Sequence, residues 1–208
     1  MDIYEAIFSR RTIRDFDERE VPGDIVKKIL NAGLQAPTNN HLREWEFIVL
    51  NDKAARLNAI DKVTKNFSKE DVAAILDNWG CTDLEQRDMY FDGIPKQYKM
   101  LLTAGCLIIP FFRTYEPLLK TQILSSLNGF ASIWCCIENI LLAAASEGIY
   151  GVTRIPFEEE IKHIKTCLNV PDDYEFPCYI ALGYPREAAK TFTPKNNSIE
   201  SKIHFNNW

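Results

Sequence analysis

Arg10, Arg11 and Arg14 put three guanidinium groups within five residues, with the hydroxyl of Thr12 among them. A guanidinium offers a planar fork of N–H donors that matches phosphate oxygens, so the cluster can hold a phosphate. The same residues can instead form a solvated basic turn, because Asp15, Asp17, Glu18 and Glu20 follow at once. A second polar stretch, TNNHLRE from Thr38 to Glu44, separates a helix stopped by Pro37 from the apolar run WEFIVLN. Its amide side chains and backbone N–H groups can face a polar ligand, and they equally suit a plain turn. The chain has six cysteines, none in a Cys-x-x-Cys pair, and His41, His163 and His204 do not fall at metal-ligand spacing. No metal site is read from them. Buried, reduced thiols account for the cysteines, and adjacent Cys135 and Cys136 point different ways on a helix.

The elements that must position these groups follow from periodicity. DIYEAIFSRR reads as a helix with Asp2 as N-cap and Ile3, Ile7 and Phe8 on one face. VPGDIVKKILNAGLQAPT reads as a second helix that buries Ile25, Ile29, Leu30 and Leu34. KAARLNAIDKVTK is helical, and SKEDVAAILDNWG is another helix capped by Ser68. The segment from Cys81 to Lys99 is aromatic-rich and broken at Gly93 and Pro95, so it reads as a cover over a ligand site or as a peripheral cap. AGCLIIPFFR is a strand expected to be covered on both faces. The stretch from Asn128 to Gly151 is the central element. It is apolar nearly all round apart from a stripe of Ser132, Asn139 and Ser146, as expected for a helix in the middle of a domain or between subunits. FEEEIKHIKTCLNV is an amphipathic helix and CYIALGYP a last strand, while the tail still holds Ile199, Ile203, Phe205 and Trp208. Apolar residues at a terminus need a surface to cover them, and a partner subunit is one candidate.

At 208 residues, with no internal repeat or linker, residues 1–208 read as one domain. Helices first, then strands alternating with helices, indicate an α+β or α/β three-layer domain. A net charge of -5 argues against a general nucleic-acid partner. No apolar run is read as long enough to cross a membrane, and no leader is read in MDIYEAIFSRR, so the expected location is cytoplasmic.

Four separated pieces occur in order: SRRTIRDF, APTNNHLREWEFIVL, the long helix ending in SEGIYGVTRIPF, and IALGYPRE followed by KIHFNNW. Together they resemble the FMN-dependent nitroreductase family, across nearly the whole chain. The resemblance implies an α+β, three-layer α/β/α domain with a central mixed sheet, a long buried helix and a C-terminal extension exchanged in a dimer. It implies a homodimer with two FMN sites at the interface. The family's Arg-Arg-Ser-x-Arg pattern, which binds the FMN phosphate and ribityl chain, falls on Arg10, Arg11, Thr12 and Arg14. Its Ala-Pro-Ser loop, reaching over from the other subunit, falls on Pro37, Thr38 and Asn39. Further along that loop, where the family has Asn and then Gln-Pro-Trp, this chain has His41 and then Arg43, Glu44 and Trp45. Thr153, Arg154, Ile155 and Pro156 correspond to the segment beside the flavin's reactive nitrogen. Lys195 and Asn197 correspond to a late basic pair, of which only the first is basic here, and Asn128 is a further candidate contact. The segment of about residues 61–99, the part the resemblance covers least, is read as a helical excursion near the active site.

The implied activity is electron transfer from NADH or NADPH to nitroaromatics or quinones by a ping-pong scheme, with no catalytic side chain assigned. The alternatives are an FMN storage or sensor module without turnover, and a flavin enzyme of the same fold with different chemistry.

Overall fold

The computed structural model describes residues 1–17, 19–194 and 197–208. Asp2 caps α1 (Ile3–Ser9): its carboxylate accepts the Glu5 N–H at 2.9 Å, and Glu5 returns to the Asp2 N–H at 2.8 Å. After α2 (Gly23–Gly33) and β1 (Trp45–Leu50) come α3 (Lys53–Ala59), α4 (Lys69–Asn78), α5 (Leu84–Gly93) and α6 (Gln97–Thr103). Asp52, Ser68 and Asp83 accept first-turn amides of α3, α4 and α5. The chain continues through β2 (Cys106–Arg113), α7 (Asn128–Ser146), β3 (Tyr150–Arg154), α8 (Glu158–Cys167), the short β4 (Tyr174–Glu175) and β5 (Tyr179–Gly183).

The sheet runs β1-β2-β5-β3, with β4 on the end of β2. All of these pairings are antiparallel, where the sequence led us to expect a mixed sheet. The one parallel pairing among the described residues is an isolated bridge between Thr12 and Gly151. Strand direction was the part periodicity could not carry, since a long helical connection can return the chain to either end of a sheet.

Alternation along the strands divides the core into two layers. Ile108, Phe112, Cys178, Ile180 and Leu182 face α2 and α7, with Ile29, Ile133, Ile137 and Ile140 packed on them. Leu107, Ile109, Phe111, Tyr179, Ala181 and Val152 face the opposite layer, with Ala59, Met100, Leu101 and Ile164 of α3, α6 and α8. β2 is therefore covered on both faces, as its unbroken apolar run predicts. α4 and α5 carry their own small core of Val72, Leu76 and Ile94.

The long helix departs from expectation in two respects. Ser132, Ile133, Cys136, Ile137, Ile140, Ala144 and Ala145 are buried, but Ala131, Cys135, Glu138 and Ser146 form an open face on this chain. By length and composition Leu124–Ser146 is long and apolar enough to cross a membrane, with a mean hydropathy of 1.5, where the sequence reading found no such run. In this fold it packs on α2, β2 and β3. Ile3, Tyr4, Ile7 and Phe8 of α1 and Ile199, Ile203, Phe205 and Trp208 of the tail are uncovered.

Candidate functional site

Past α1 the chain runs in extended form along the free edge of β3. The Ile13 N–H donates to the Gly151 carbonyl at 3.2 Å, and the Asp17 N–H donates to the Tyr184 carbonyl at 3.0 Å. Ile13 and Phe16 are the buried anchors of this run. Extended alternation then turns Thr12 and Arg14 away from the side that Ile13 takes.

The three arginines meet different fates. Arg11 folds back, donating to the Phe8 carbonyl at 2.6 Å and the Arg10 carbonyl at 2.7 Å. Arg10 lies 3.6 Å from Glu138 of α7, a half-exposed and weak pair. Arg14 packs flat on Gly93, where a Cβ would come 3.1 Å from its Cζ. Among the described residues Arg14 makes no hydrogen bond or ion pair. The acids that could neutralise it are otherwise engaged: Lys96 Nζ donates to Asp15 at 2.6 Å and to Asp92 at 2.7 Å, and Asp17 is held by Arg19. Burial pushes the Arg14 guanidinium below its ordinary pKa, opposed only at range by Asp92, Asp15 and Tyr90. Among the described residues none of the three arginines pairs with Asp15 or Asp17, and Arg14 is a partly buried cation beside a sheet edge.

That edge also supplies donors. Residues of an antiparallel ladder bond alternately to the two sides. Because Gly151 accepts Ile13 from outside the sheet, the same parity turns the Thr153 N–H outward, toward the edge along which residues 12–13 run. Ile155 is exposed just beyond. The Arg154 side chain goes the opposite way, into the core. Its Nε donates to Gln97 Oε1 at 2.8 Å, its Nη2 donates to Glu160 Oε1 at 2.7 Å, and its Nη1 donates to the second Glu160 oxygen. What residues 153–155 offer a ligand is thus main chain, the Thr153 hydroxyl and the Ile155 side chain.

A second group forms at the start of α7. Asn40, His41 and Arg43 take positive φ values of 52°, 58° and 48°, so the Thr38–Glu44 loop is a tight left-handed coil and not a plain turn. The Asn39 N–H donates to Ser132 Oγ at 3.1 Å, and Ser132 donates to the Asn128 carbonyl at 2.7 Å, which pins the loop to the helix. Thr38, Asn39 and Asn128 line one cavity of about 200 Å³ with Glu44, Arg113 and Tyr115. The Glu44 carboxylate accepts from the Tyr115 hydroxyl at 2.9 Å and from Arg113 Nη1 at 3.3 Å. Sequence reasoning gave Arg113 and Tyr115 no role and read Ser132 only as part of the polar stripe of the long helix. The signals were that stripe and Glu44, an acid beside a buried tryptophan. Pro37, Asn39 and His41 are exposed at the loop's rim.

The structure thus brings Thr12 beside Gly151 on the β3 edge, sets Arg14 against Gly93, and separately unites Thr38 and Asn39 with Asn128. Asn197 lies in the exposed tail, and Lys195 is outside the described residues. Of the cysteines, Cys106 and Cys136 are pushed up to about 12 by burial, and Cys178 is also pushed up by burial. Thiols so raised are protonated and unreactive at neutral pH.

The family model described as "Nitroreductase family" matches residues 7–184. The chain belongs to the nitroreductase family. A 4-nitrobenzoate reductase of Nocardioides is 24% identical, over 88% of this chain and 81% of that protein. The structure of an FMN-dependent nitroreductase from Clostridium difficile superposes with a TM-score of 0.66 at 24% identity, covering 99% of each chain. The structure of an iodotyrosine deiodinase bound to FMN and 3-iodo-L-tyrosine superposes at 0.72 with 17% identity, covering 100% of each. At these identities the two structures establish a shared nitroreductase fold, which is α+β with one long helix, as expected.

Proposed function

We propose that this member of the nitroreductase family is an FMN-dependent oxidoreductase that moves electrons from NADH or NADPH to nitroaromatics or quinones. The observation that carries the reading is Arg14, a partly buried guanidinium with no bonded partner among the described residues, on the segment that runs along the β3 edge from which the Thr153 N–H points outward. A cation and a main-chain donor on one sheet edge fit the acceptor atoms and negative charge of FMN. Arg10, Arg11 and Thr12 would hold the phosphate and ribityl chain together with Lys195 and Asn197. Thr153 and Ile155 would line the ring. When bound, FMN supplies the capacity to take and return two electrons. The protein's part is to bind and orient, and no side chain of this chain is asked to act as acid, base or nucleophile.

The chain has no dinucleotide-binding glycine fingerprint, so the nicotinamide and the acceptor would use one place in turn, each leaving before the other enters. Steady-state rates with both substrates varied are expected to give parallel double-reciprocal lines, with FMN released on heating. Intersecting lines would remove the shared place. A protein that takes up FMN yet is not reduced by NADH or NADPH would be a storage or sensor module. Turnover confined to 3-iodotyrosine would make it a same-fold enzyme of different chemistry.

The reading includes a homodimer. Pro37, Thr38, Asn39, His41 and Asn128 sit apart from Arg14 and Thr153 on one chain, and a second copy would bring its loop to this chain's edge. The uncovered apolar residues of α1 and the tail, with the open face of α7, supply the contact surface, and the tail would be exchanged. Light scattering at micromolar concentration should give twice the 23.9 kDa chain mass. A stable FMN-loaded monomer would refute this arrangement.

A further inference from the structure

We propose that Gln97 and Glu160 are positioning residues for the end of β3, acting through Arg154. The inference rests on the FMN reading, because it concerns how the Thr153–Ile155 main chain is held against that ligand.

Arg154 is the last residue of an edge strand. Past Gly151, β3 is paired on one side only, and such an end frays unless something else holds it. The holder is a buried fork. The Arg154 and Glu160 side chains are 6% and 3% exposed, and they meet through two parallel hydrogen bonds. The guanidinium lies over Tyr179 at 5.6 Å and Phe157 at 5.7 Å. A buried pair of this kind is seldom the most stable choice, since apolar residues of similar volume often do as well or better. What it does provide is a single geometry. The fork joins β3 to the first turn of α8, and the bond from Nε to Gln97 joins it to the first residue of α6.

The start of α6 also touches the other half of the edge site. Gly93 packs on Arg14, and Lys96, the neighbour of Gln97, bonds to Asp15. One short segment, 93–97, therefore sets Arg14 on one side and the end of β3 on the other. Gln97 reaches Arg154 across 57 positions of sequence. The 61–99 excursion would then act as a clamp on the spacing between the guanidinium and the Thr153 N–H.

The test compares Gln97→Leu with Gln97→Glu in the FMN-loaded protein. The two are close in size, and Gln97 is only half-buried, so neither should stop folding. Glutamate keeps an acceptor for Arg154 Nε, whereas leucine removes it. Gln97→Leu is expected to slow flavin reduction at saturating NADH about tenfold, as misplacement of a bound group by a fraction of an ångström does. It should also shift the visible flavin bands, with FMN affinity and the NADH KM little changed. Gln97→Glu should restore rate and spectrum to the parent's. Gln97→Met, whose thioether is only a weak acceptor, should behave much as the leucine does. If leucine and methionine variants match the parent in rate and spectrum while holding FMN, or if glutamate fails like leucine, the positioning role is wrong. A parent protein that never takes up FMN would instead overturn the FMN reading.

Discussion

Replacing Glu160 with alanine is expected to lower the unfolding free energy by about 3–5 kcal/mol, because it strands a buried guanidinium. Arg154 is 6% exposed, and among the described residues Gln97 would remain its one side-chain hydrogen-bond partner. The Tyr179 hydroxyl, buried beside Glu160, makes no full hydrogen bond among the described residues. No bonded carboxylate would be left to compensate the charge. A matched control sits on the surface. Lys28 and Glu147 are 2.5 Å apart but 67% and 23% exposed, so Glu147→Ala should cost no more than about 1 kcal/mol. Urea unfolding of both variants and the parent, at one protein and FMN concentration, makes the comparison, since a ligand or partner that binds only the folded state would otherwise move the midpoint. Equal losses for the two variants would show that the buried fork is no more than another surface pair. Glu160→Gln, which keeps shape and an acceptor, should fall between them.

The contrast between these pairs also shows what the sequence could and could not reveal. Asp2 capping α1 with Glu5 three residues on, and Ser68 capping α4 with Asp71, are local patterns, and both form as written. The two-faced burial of β2 is written in CLIIPFF, because a half-covered strand would have to alternate. The partners of Arg154 are of another kind. Glu160 lies six residues on across a turn, and Gln97 lies far upstream in a segment without clear periodicity, so nothing local announces them. The same holds for Glu44 with Arg113 and Tyr115, which meet across 69 and 71 positions. Composition showed that α7 is apolar, but not that Ala131, Cys135 and Glu138 stay open on a single chain. That depends on which neighbours the topology supplies. The cluster Arg10, Arg11, Arg14 was legible as a group. Its division into Arg11 turned back on α1, Arg10 reaching α7 and Arg14 left without a partner among the described residues comes from the backbone path set by Ile13 and Phe16.

That division makes Arg14→Ala the substitution with the largest expected effect on ligand binding. A guanidinium that is partly buried and, among the described residues, unbonded is costly to maintain, and a ligand acceptor arriving at it recovers a charged hydrogen bond. Removing it should weaken FMN binding by about 1.5–3 kcal/mol, roughly a 10- to 100-fold rise in Kd. The chain itself should fold at least as well, because the variant deletes a desolvated charge and leaves both Lys96 bonds, to Asp15 and Asp92, in place. Arg11→Ala serves as the internal comparison: its side chain already donates to the Phe8 and Arg10 carbonyls, so it has less to offer a ligand and its loss should cost less affinity. Fluorescence titration of FMN into apoprotein, with thermal unfolding of the same samples, separates affinity from folding. An Arg14→Ala protein that binds FMN like the parent would mean that Gly93 accommodates the arginine for packing alone, and the edge site would lose the observation that carries it. A large loss of affinity with unchanged ligand-free stability would place the ligand's acceptor atoms at the guanidinium, between α5 and the edge of β3.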